Sequence, residues 1–373
     1  MRIGIDASRT TVAQRTGTEN YSLFLIRKLL EIDSRNHYTL YFNAAPEGDL
    51  FSGTSQVHFR VLPFPRLWTH VRLSWEMVQH PPDVLFVPAH VLPLFHPRQS
   101  VVTVHDLGYL YYPEAHTPVA RWYLNWSTRF NARCAAHLIC DSKTTSADLA
   151  THCGVAEDKT TVVYPGIDPA LEPVRSAQEL QEVRSRYRLP PTYLLFVGTY
   201  QPRKNLHRLL AAFAALRIQH PHVHLVLAGK PGWMYQALFD YSRELDLESH
   251  VHWTGYVPQA DLPALYGAAR AFVLPSLYEG FGLPVLEAMA CGTPVICSRV
   301  SSLPEVAGDA ALLINPHDSR DIEAAMSRVI EDETLHADLV QRGLRRARRF
   351  SWEACARATL QVLETVGRAP PPP

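Results

Sequence analysis

Short runs of β-branched and aromatic residues alternate along this chain with longer segments of helical period, and few folds accommodate that alternation. Strands joined by helices pair in parallel, because a crossover helix returns the chain to the same end of the sheet. In the first half the strand candidates are residues 2–7, 38–43, 58–63, 83–88, 101–105, 137–140 and 161–164. A second series has candidates at 193–198, 224–228, 250–255, 271–275, 294–298 and 311–314. The clearest helix spans 18–30, where Thr18 is placed to cap it and Leu23, Ile26 and Leu30 share one face. Between the series lies the polar, proline-flanked stretch EPVRSAQELQEVRSRYRLPP, which puts the domain junction within residues 166–190. No repeat of solenoid period is visible. The expected fold class is α/β, with two Rossmann-like doubly wound domains at 1–170 and 171–349. The carboxyl ends of their strands, where open sheets bind ligands, would then face each other across a cleft.

A length of 373 residues also favours two domains. Hydrophobic residues make up 47% and charged residues 19%, enough for buried cores and far from the composition of disordered chains. Lys plus Arg and Asp plus Glu both total 36, so no net field attracts nucleic acid and any anion site must come from local placement. Six cysteines without a CxxC pair, and a start MRIGIDASRT without the apolar core of a signal peptide, fit a reducing cytoplasm. No apolar run approaches the roughly 20 residues that cross a bilayer, so membrane contact is expected only peripherally, at the inner face. The closing prolines are expected to be disordered.

The most informative stretch is PSLYEGFGLPVLEAMACGTPVICS, residues 275–298, in which a strand gives way to a glycine-containing loop and then a helix. Pro284 suits the first helical turn and Gly292 the stop. Gly280 and Gly282 let backbone N–H groups approach a ligand, and the helix N-terminus that follows favours phosphate oxygens. Glu287 is the only charged residue from Phe281 to Ile296, so burial on so apolar a helix requires hydrogen bonds, which hydroxyl donors would supply. Glu279 lies in the loop before it; two ionised carboxylates, acceptors only, suit a polyhydroxylated ligand. The same residues also read as a capping Glu279 and a Glu287 in an internal salt bridge.

A second signal is FVGTYQPRKNLHRLLAAFAAL, residues 196–216, where Arg203 and Lys204 follow a strand and Asn205 is placed to cap a helix with Leu206, Leu209, Leu210 and Phe213 on one face. Cations there can hold phosphate and neutralise a departing diphosphate; a solvated basic turn has the same spelling. In TVHDLGYLYYPEAH, His105 follows a strand and is placed to hydrogen-bond a sugar or assist proton transfer, or to serve structure alone. Gly17, before the first long helix, is either a backbone anion contact or a turn glycine.

Neither GxGxxG nor GxxxxGK[ST] occurs, which disfavours a nicotinamide-type Rossmann enzyme and a P-loop ATPase. There is no Asp-x-Asp pair to hold a divalent ion on a diphosphate. His222 with His224, and His250 with His252, lie on one strand face without Cys or carboxylate companions and are read as structural. Arg342, Arg345, Arg346, Arg348 and Arg349 form a basic helix face, solvated or in contact with anionic lipid.

Taken together, FVGTYQPRKN, LYEGFGLPVLEAMACGTPVI and TVHDL resemble the family 4 retaining glycosyltransferases of the GT-B fold, across almost the whole chain. The resemblance implies that Arg203 and Lys204 bind the donor diphosphate and that Gly280, Phe281 and Gly282 form the loop touching phosphates and sugar. It implies that Glu279 holds sugar hydroxyls, Glu287 the nucleotide ribose, and His105 the transferred sugar, with Gly17 beside the diphosphate. Family members usually carry paired glycines where this chain has Thr16-Gly17-Thr18. Residues 350–366 resemble the family's terminal helix, which crosses back to the first domain. The implied activity transfers a hexose from a nucleotide-diphosphate sugar to a glycan or lipid-linked acceptor, with no cofactor and no metal. The wording GTYQPRKN and HDLGYLYYPE is most similar to members that use GDP-mannose in cell-surface polysaccharide assembly. A non-catalytic nucleotide-sugar-binding module, or a GT-B-like epimerase, would share the fold.

Overall fold

The computed structural model describes residues 1–12, 17–46, 48, 50–51, 57–89, 91–174, 176–232 and 235–369; the closing prolines lie outside them. The chain divides into two compact units. The first comprises Met1–Leu110, Pro118–Gly166 and the chain from Phe350; the second comprises Tyr111–Thr117 and Ile167–Arg349.

The first unit holds β1 (Arg2–Asp6), β2 (His37–Phe42), β3 (Val57–Val61), β4 (Val84–Val87), β5 (Ser100–Val104), β6 (His137–Cys140) and β7 (Thr160–Val162). They form one parallel sheet in the order β3-β2-β1-β4-β5-β6-β7. Successive side chains alternate between two buried layers, as a sheet covered on both faces requires. Ile3, Ile5, Val84, Phe86, Val101 and Ile139 pack with the helices Gly17–Ile32 and Trp352–Arg368. Leu85, Val87, Val102 and Leu138 face the other way, towards the helices Ser74–Gln79 and Pro118–Cys134. The terminal helix thus belongs to the core of the first unit, where Trp352, Leu360 and Leu363 are buried.

The second unit holds β8 (Tyr193–Val197), β9 (His224–Ala228), β10 (Val251–Gly255), β11 (Ala271–Leu274), β12 (Val295–Ser298) and β13 (Ala311–Ile314). These too are all parallel, in the order β10-β9-β8-β11-β12-β13. Leu194, Leu195 and Phe196 of β8 and Phe272, Val273 and Leu274 of β11 are fully buried, as central strands between two helical layers should be. Every strand expected from the sequence is present. In each sheet the strand order reverses next to the first strand of the series, at β1/β4 and at β8/β11.

Thr18 is not a cap: the helix already starts at Gly17, and the Thr18 carbonyl instead accepts from Ser22 Oγ at 3.1 Å. The units divide between Gly166 and Ile167, and the polar stretch that follows contains the helix Ala177–Tyr187, capped by Ser176 and pinned to the second unit through Arg186 and Tyr187, which both bond Asp261.

Candidate functional site

In an open parallel sheet the loops leaving two neighbouring strands part company where the order reverses, and the crevice they leave is the usual ligand site. In the second sheet those strands are β8 and β11. The segment after β8 carries Arg203 and Lys204 on the short turn Pro202–Lys204, and the segment after β11 carries Glu279. The two segments are fastened together. Arg203 Nη1 donates to Glu279 Oε2 at 2.8 Å, Lys204 Nζ to Glu279 Oε1 at 2.6 Å, and Leu277 N to the Arg203 carbonyl at 2.8 Å. Lys204 and Glu279 are both buried, while Arg203 keeps about a quarter of its side chain in solvent (23%). Burial alone would raise the Glu279 carboxyl, but Lys204 and then Arg203 outweigh it and pull the group down to about 2. Two cations thus share the one Glu279 carboxylate at this edge.

Serine hydroxyls complete the cradle. Ser276 Oγ donates to Glu279 Oε1 at 2.6 Å, Glu279 N donates to Ser301 Oγ at 2.9 Å, and Ser302 Oγ bonds the carbonyls of Glu279 and Phe281. Gly282 has φ +104° and opens the helix Leu283–Ala290, where Pro284 sits in the first turn. That φ favours glycine, and a Cβ there would lie 2.7 Å from Leu303 Cδ2, which would have to shift. The first N–H groups of that helix have no intrahelical acceptor and point out of its positive end.

Glu287, half-buried on the same helix, receives a hydrogen bond from the Tyr266 hydroxyl at 2.8 Å. A hydroxyl does satisfy it, and that hydroxyl is the protein's own. Burial is the main reason its carboxyl rises to about 7; the Tyr266 bond opposes the rise and Asp168 adds to it. The structure therefore joins Arg203, Lys204 and Glu279 directly and gives Glu287 a separate partner.

In the first unit His105 follows β5, and its ring is held between two acceptors. Nδ1 lies 2.6 Å from Asp141 Oδ2, at the end of β6, and Nε2 lies 3.0 Å from the carbonyl of Pro88, at the end of β4. Neither acceptor can donate when Asp141 is ionised, so both contacts are hydrogen bonds only in the imidazolium form. Burial disfavours that cation, but Asp141 more than offsets it and holds His105 above the ordinary histidine range. In this geometry both ring nitrogens are engaged, which fits a fixed positive charge and departs from the expected proton-transfer role.

The remaining expected residues are placed as follows. Gly17 is the first, exposed residue of the helix Gly17–Ile32, and the residues just before it lie outside those described. Asn205 occupies the N-cap position but does not cap: with φ +60°, its amide donates to the carbonyls of Pro275 and Pro316, tying the loops after β11 and β13 to the start of the next helix. Of the histidine pairs, His252 Nε2 lies 3.1 Å from His224 Nδ1 and the His224 ring stacks on His250. Among the described residues no group of three or more His, Cys, Asp or Glu side chains is arranged to hold a metal ion. Arg346 bonds the carbonyls of Glu305 and Val306, and Arg342 bonds Asp338, so part of the basic segment is structural. Sequence reasoning missed Ser276, Ser301, Ser302, Tyr266 and Asp141. Ser301, three residues beyond the end of β12 and at φ +52°, lay at the ligand edge of a strand and was the most accessible of these.

A pair of all-parallel α/β units, one with cations and a glycine loop at its strand-order reversal, defines the GT-B class of enzyme, and the comparisons agree. Residues 16–171 match the family model described as Glycosyltransferase Family 4, and residues 178–346 match Glycosyl transferases group 1. Over 368 residues the chain is 33% identical to O-antigen chain mannosyltransferase B of Escherichia coli, covering 93% of this chain and 95% of that protein. It is 33% identical over 253 residues to MMP alpha-(1->4)-mannosyltransferase of Mycolicibacterium hassiacum, covering 66% of this chain and 58% of that one. The crystal structure of Anabaena HepE in complex with UDP and glucose has the same fold, with a TM-score of 0.76 at 20% identity, over 98% of this chain and 100% of that one. This chain belongs to glycosyltransferase family 4 and is a glycosyltransferase.

Proposed function

We propose that the protein transfers mannose from GDP-mannose to a glycan or lipid-linked acceptor in cell-surface polysaccharide assembly, with retention at the anomeric carbon and without a catalytic metal. We place it in the cytoplasm, peripheral at the inner face of the membrane. The observation that carries the reading is the fastening of Arg203 and Lys204 to Glu279 at the β8/β11 reversal, beside the N-terminus of the helix Leu283–Ala290. The mannosyltransferases among the relatives support the choice of sugar.

In this reading Arg203 and Lys204 hold the donor diphosphate, and the backbone of Gly280, Phe281 and Gly282 lines its phosphates and sugar. Glu279 orients the two cations and presents acceptor oxygens to sugar hydroxyls. Glu287 accepts from the ribose hydroxyls, Gly17 lies by the diphosphate, and His105 sets a fixed positive charge near the transferred sugar. The acceptor oxygen attacks the anomeric carbon on the face the diphosphate leaves. The bond from that carbon to the diphosphate oxygen breaks, and the departing diphosphate takes the acceptor's proton. Charge builds on the diphosphate as that bond breaks, and fixed cations stabilise it most at that moment.

The test is nucleotide release from GDP-mannose, GDP-glucose, UDP-glucose and ADP-glucose, with and without mannosylated acceptors, in EDTA. Acceptor-dependent release from GDP-mannose that survives EDTA is expected. Preference for a UDP or ADP donor would overturn the donor assignment, and loss of activity in EDTA would overturn metal independence.

A further inference from the structure

The helix face formed by residues 69–79 turns apolar side chains outward. Val71, Trp75 and Val78 are spaced by four and three residues, so they line one side of it, and each is about half exposed or more (47%, 58% and 57%). Leu67, just before the helix, adds to the stripe at 67% exposure. The helix Pro118–Cys134 repeats the pattern with Val119 at 77% and Trp122 at 66%. Scattered single apolar side chains need no explanation, but two stripes at helical spacing do.

The stripes belong to one surface. Leu73 and Met77, on the inner side of the first stretch, share a core cluster with Ala132 of the second, so both helices cover the same face of the first unit's sheet and expose their opposite sides. His70 Nε2 lies 2.9 Å from the Tyr123 hydroxyl, joining the helices side by side. The surface continues into a groove of about 350 Å³ lined by Met77, Val78, Leu94 and Phe95, and Phe95 N is tied to Ser74 Oγ.

Its charge is one-sided although the chain as a whole is neutral. Residues 59–82 contain one carboxylate, Glu76, which is buried and held by Arg60 and Arg72; residues 91–100 and 118–134 contain none. Arg66, Arg98, Arg121 and Arg129 are exposed in the same segments. Tryptophans and branched aliphatics flanked by arginines, on helices that present no acidic group, complement an anionic bilayer, where the apolar stripe enters the headgroup boundary and the cations meet phosphates.

We propose that this face of the first unit docks on an anionic lipid surface, with Trp75 and Trp122 inserting and Arg66 and Arg121 meeting headgroups. It deepens the peripheral placement and rests on that placement alone, because vesicle binding is read with neither donor nor acceptor present. The experiment is co-sedimentation of the full chain with vesicles of phosphatidylglycerol and phosphatidylcholine in equal parts, against phosphatidylcholine alone. Binding to the anionic vesicles only, weakened by salt, is expected. The double variant Trp75→Ser with Trp122→Ser, and separately Arg66→Gln with Arg121→Gln, should each lower partitioning about tenfold or more while donor-only nucleotide release is unchanged. Equal partitioning of wild type and both variants, or no binding to anionic vesicles, would overturn the proposal. So would a dimer in light scattering that the tryptophan variants dissociate, since the stripe would then be a self-association face. Nucleotide-release assays remain separate, so loss of the transfer reading and loss of the docking reading give different results.

Discussion

Glu279 is held electrostatically, because it is buried between two cations and takes a serine hydroxyl as well. Its carboxyl is pulled from 4.5 to about 2, so the stabilisation is fully present above about pH 4.5 and is lost as pH falls through about 2. The shift corresponds to roughly 3 kcal/mol. Glu279→Gln should lower stability by about that amount at neutral pH and flatten the acid limb, as read by urea unfolding from pH 7 downward. Glu287 behaves oppositely: raised to about 7, it loses acceptor strength as pH falls through neutrality. The donor KM should therefore rise as pH drops below about 7, and Glu287→Gln should show a higher KM with little pH dependence. For His105, Asp141→Asn removes the group that offsets burial, so the imidazole should titrate below its ordinary value, a change visible in ring carbon shifts by NMR. An unchanged titration would mean that Asp141 does not hold the charge.

At the level of elements, the carboxyl ends of β8, β9 and β10 meet through glycines. Gly229 N donates to the Gly255 carbonyl, Gly198 N donates to Ala228, and Gly229 has φ +151° with the Gly198 carbonyl oxygen only 1.9 Å from where a Cβ would stand. Gly229→Ala should destabilise the second unit by about 3 kcal/mol through strain and displacement of the β8 edge, measured as a lowered urea midpoint. The strands themselves were legible because their apolar runs are short and bounded by polar or turn residues. The pairing of Arg203 with Glu279 was not, since β8 and β11 are neighbours only in the folded sheet and are separated in sequence by two further strands. Asp141 was hidden likewise, its strand β6 lying beside β5, and Asn205 was misread because its Oδ1 accepts from Arg208 Nη1 in place of a helix N–H while its Nδ2 donates to loop carbonyls.

Across the whole molecule, each unit builds a sheet of the same winding and places its chemistry on loops at carboxyl ends. The first unit is completed by the terminal helix Trp352–Arg368, whose Trp352 stacks on Phe24 and whose Leu363 is fully buried, so the chain's last described helix is part of its first core. Among the described residues no helix is long and apolar enough to cross a membrane. The GT-B fold was readable from alternation and motif order together; the pairing of two cations with one carboxylate needed the strand order. The assignment of Arg203 and Lys204 to the leaving diphosphate is tested most directly by kcat for acceptor-dependent nucleotide release in Arg203→Ala and Lys204→Ala, each checked for folding by its unfolding midpoint. A fall of about 100-fold or more in both folded variants is expected, in line with loss of a charge-stabilising group in the transition state. Near-wild-type kcat in either variant would contradict the role given to that cation.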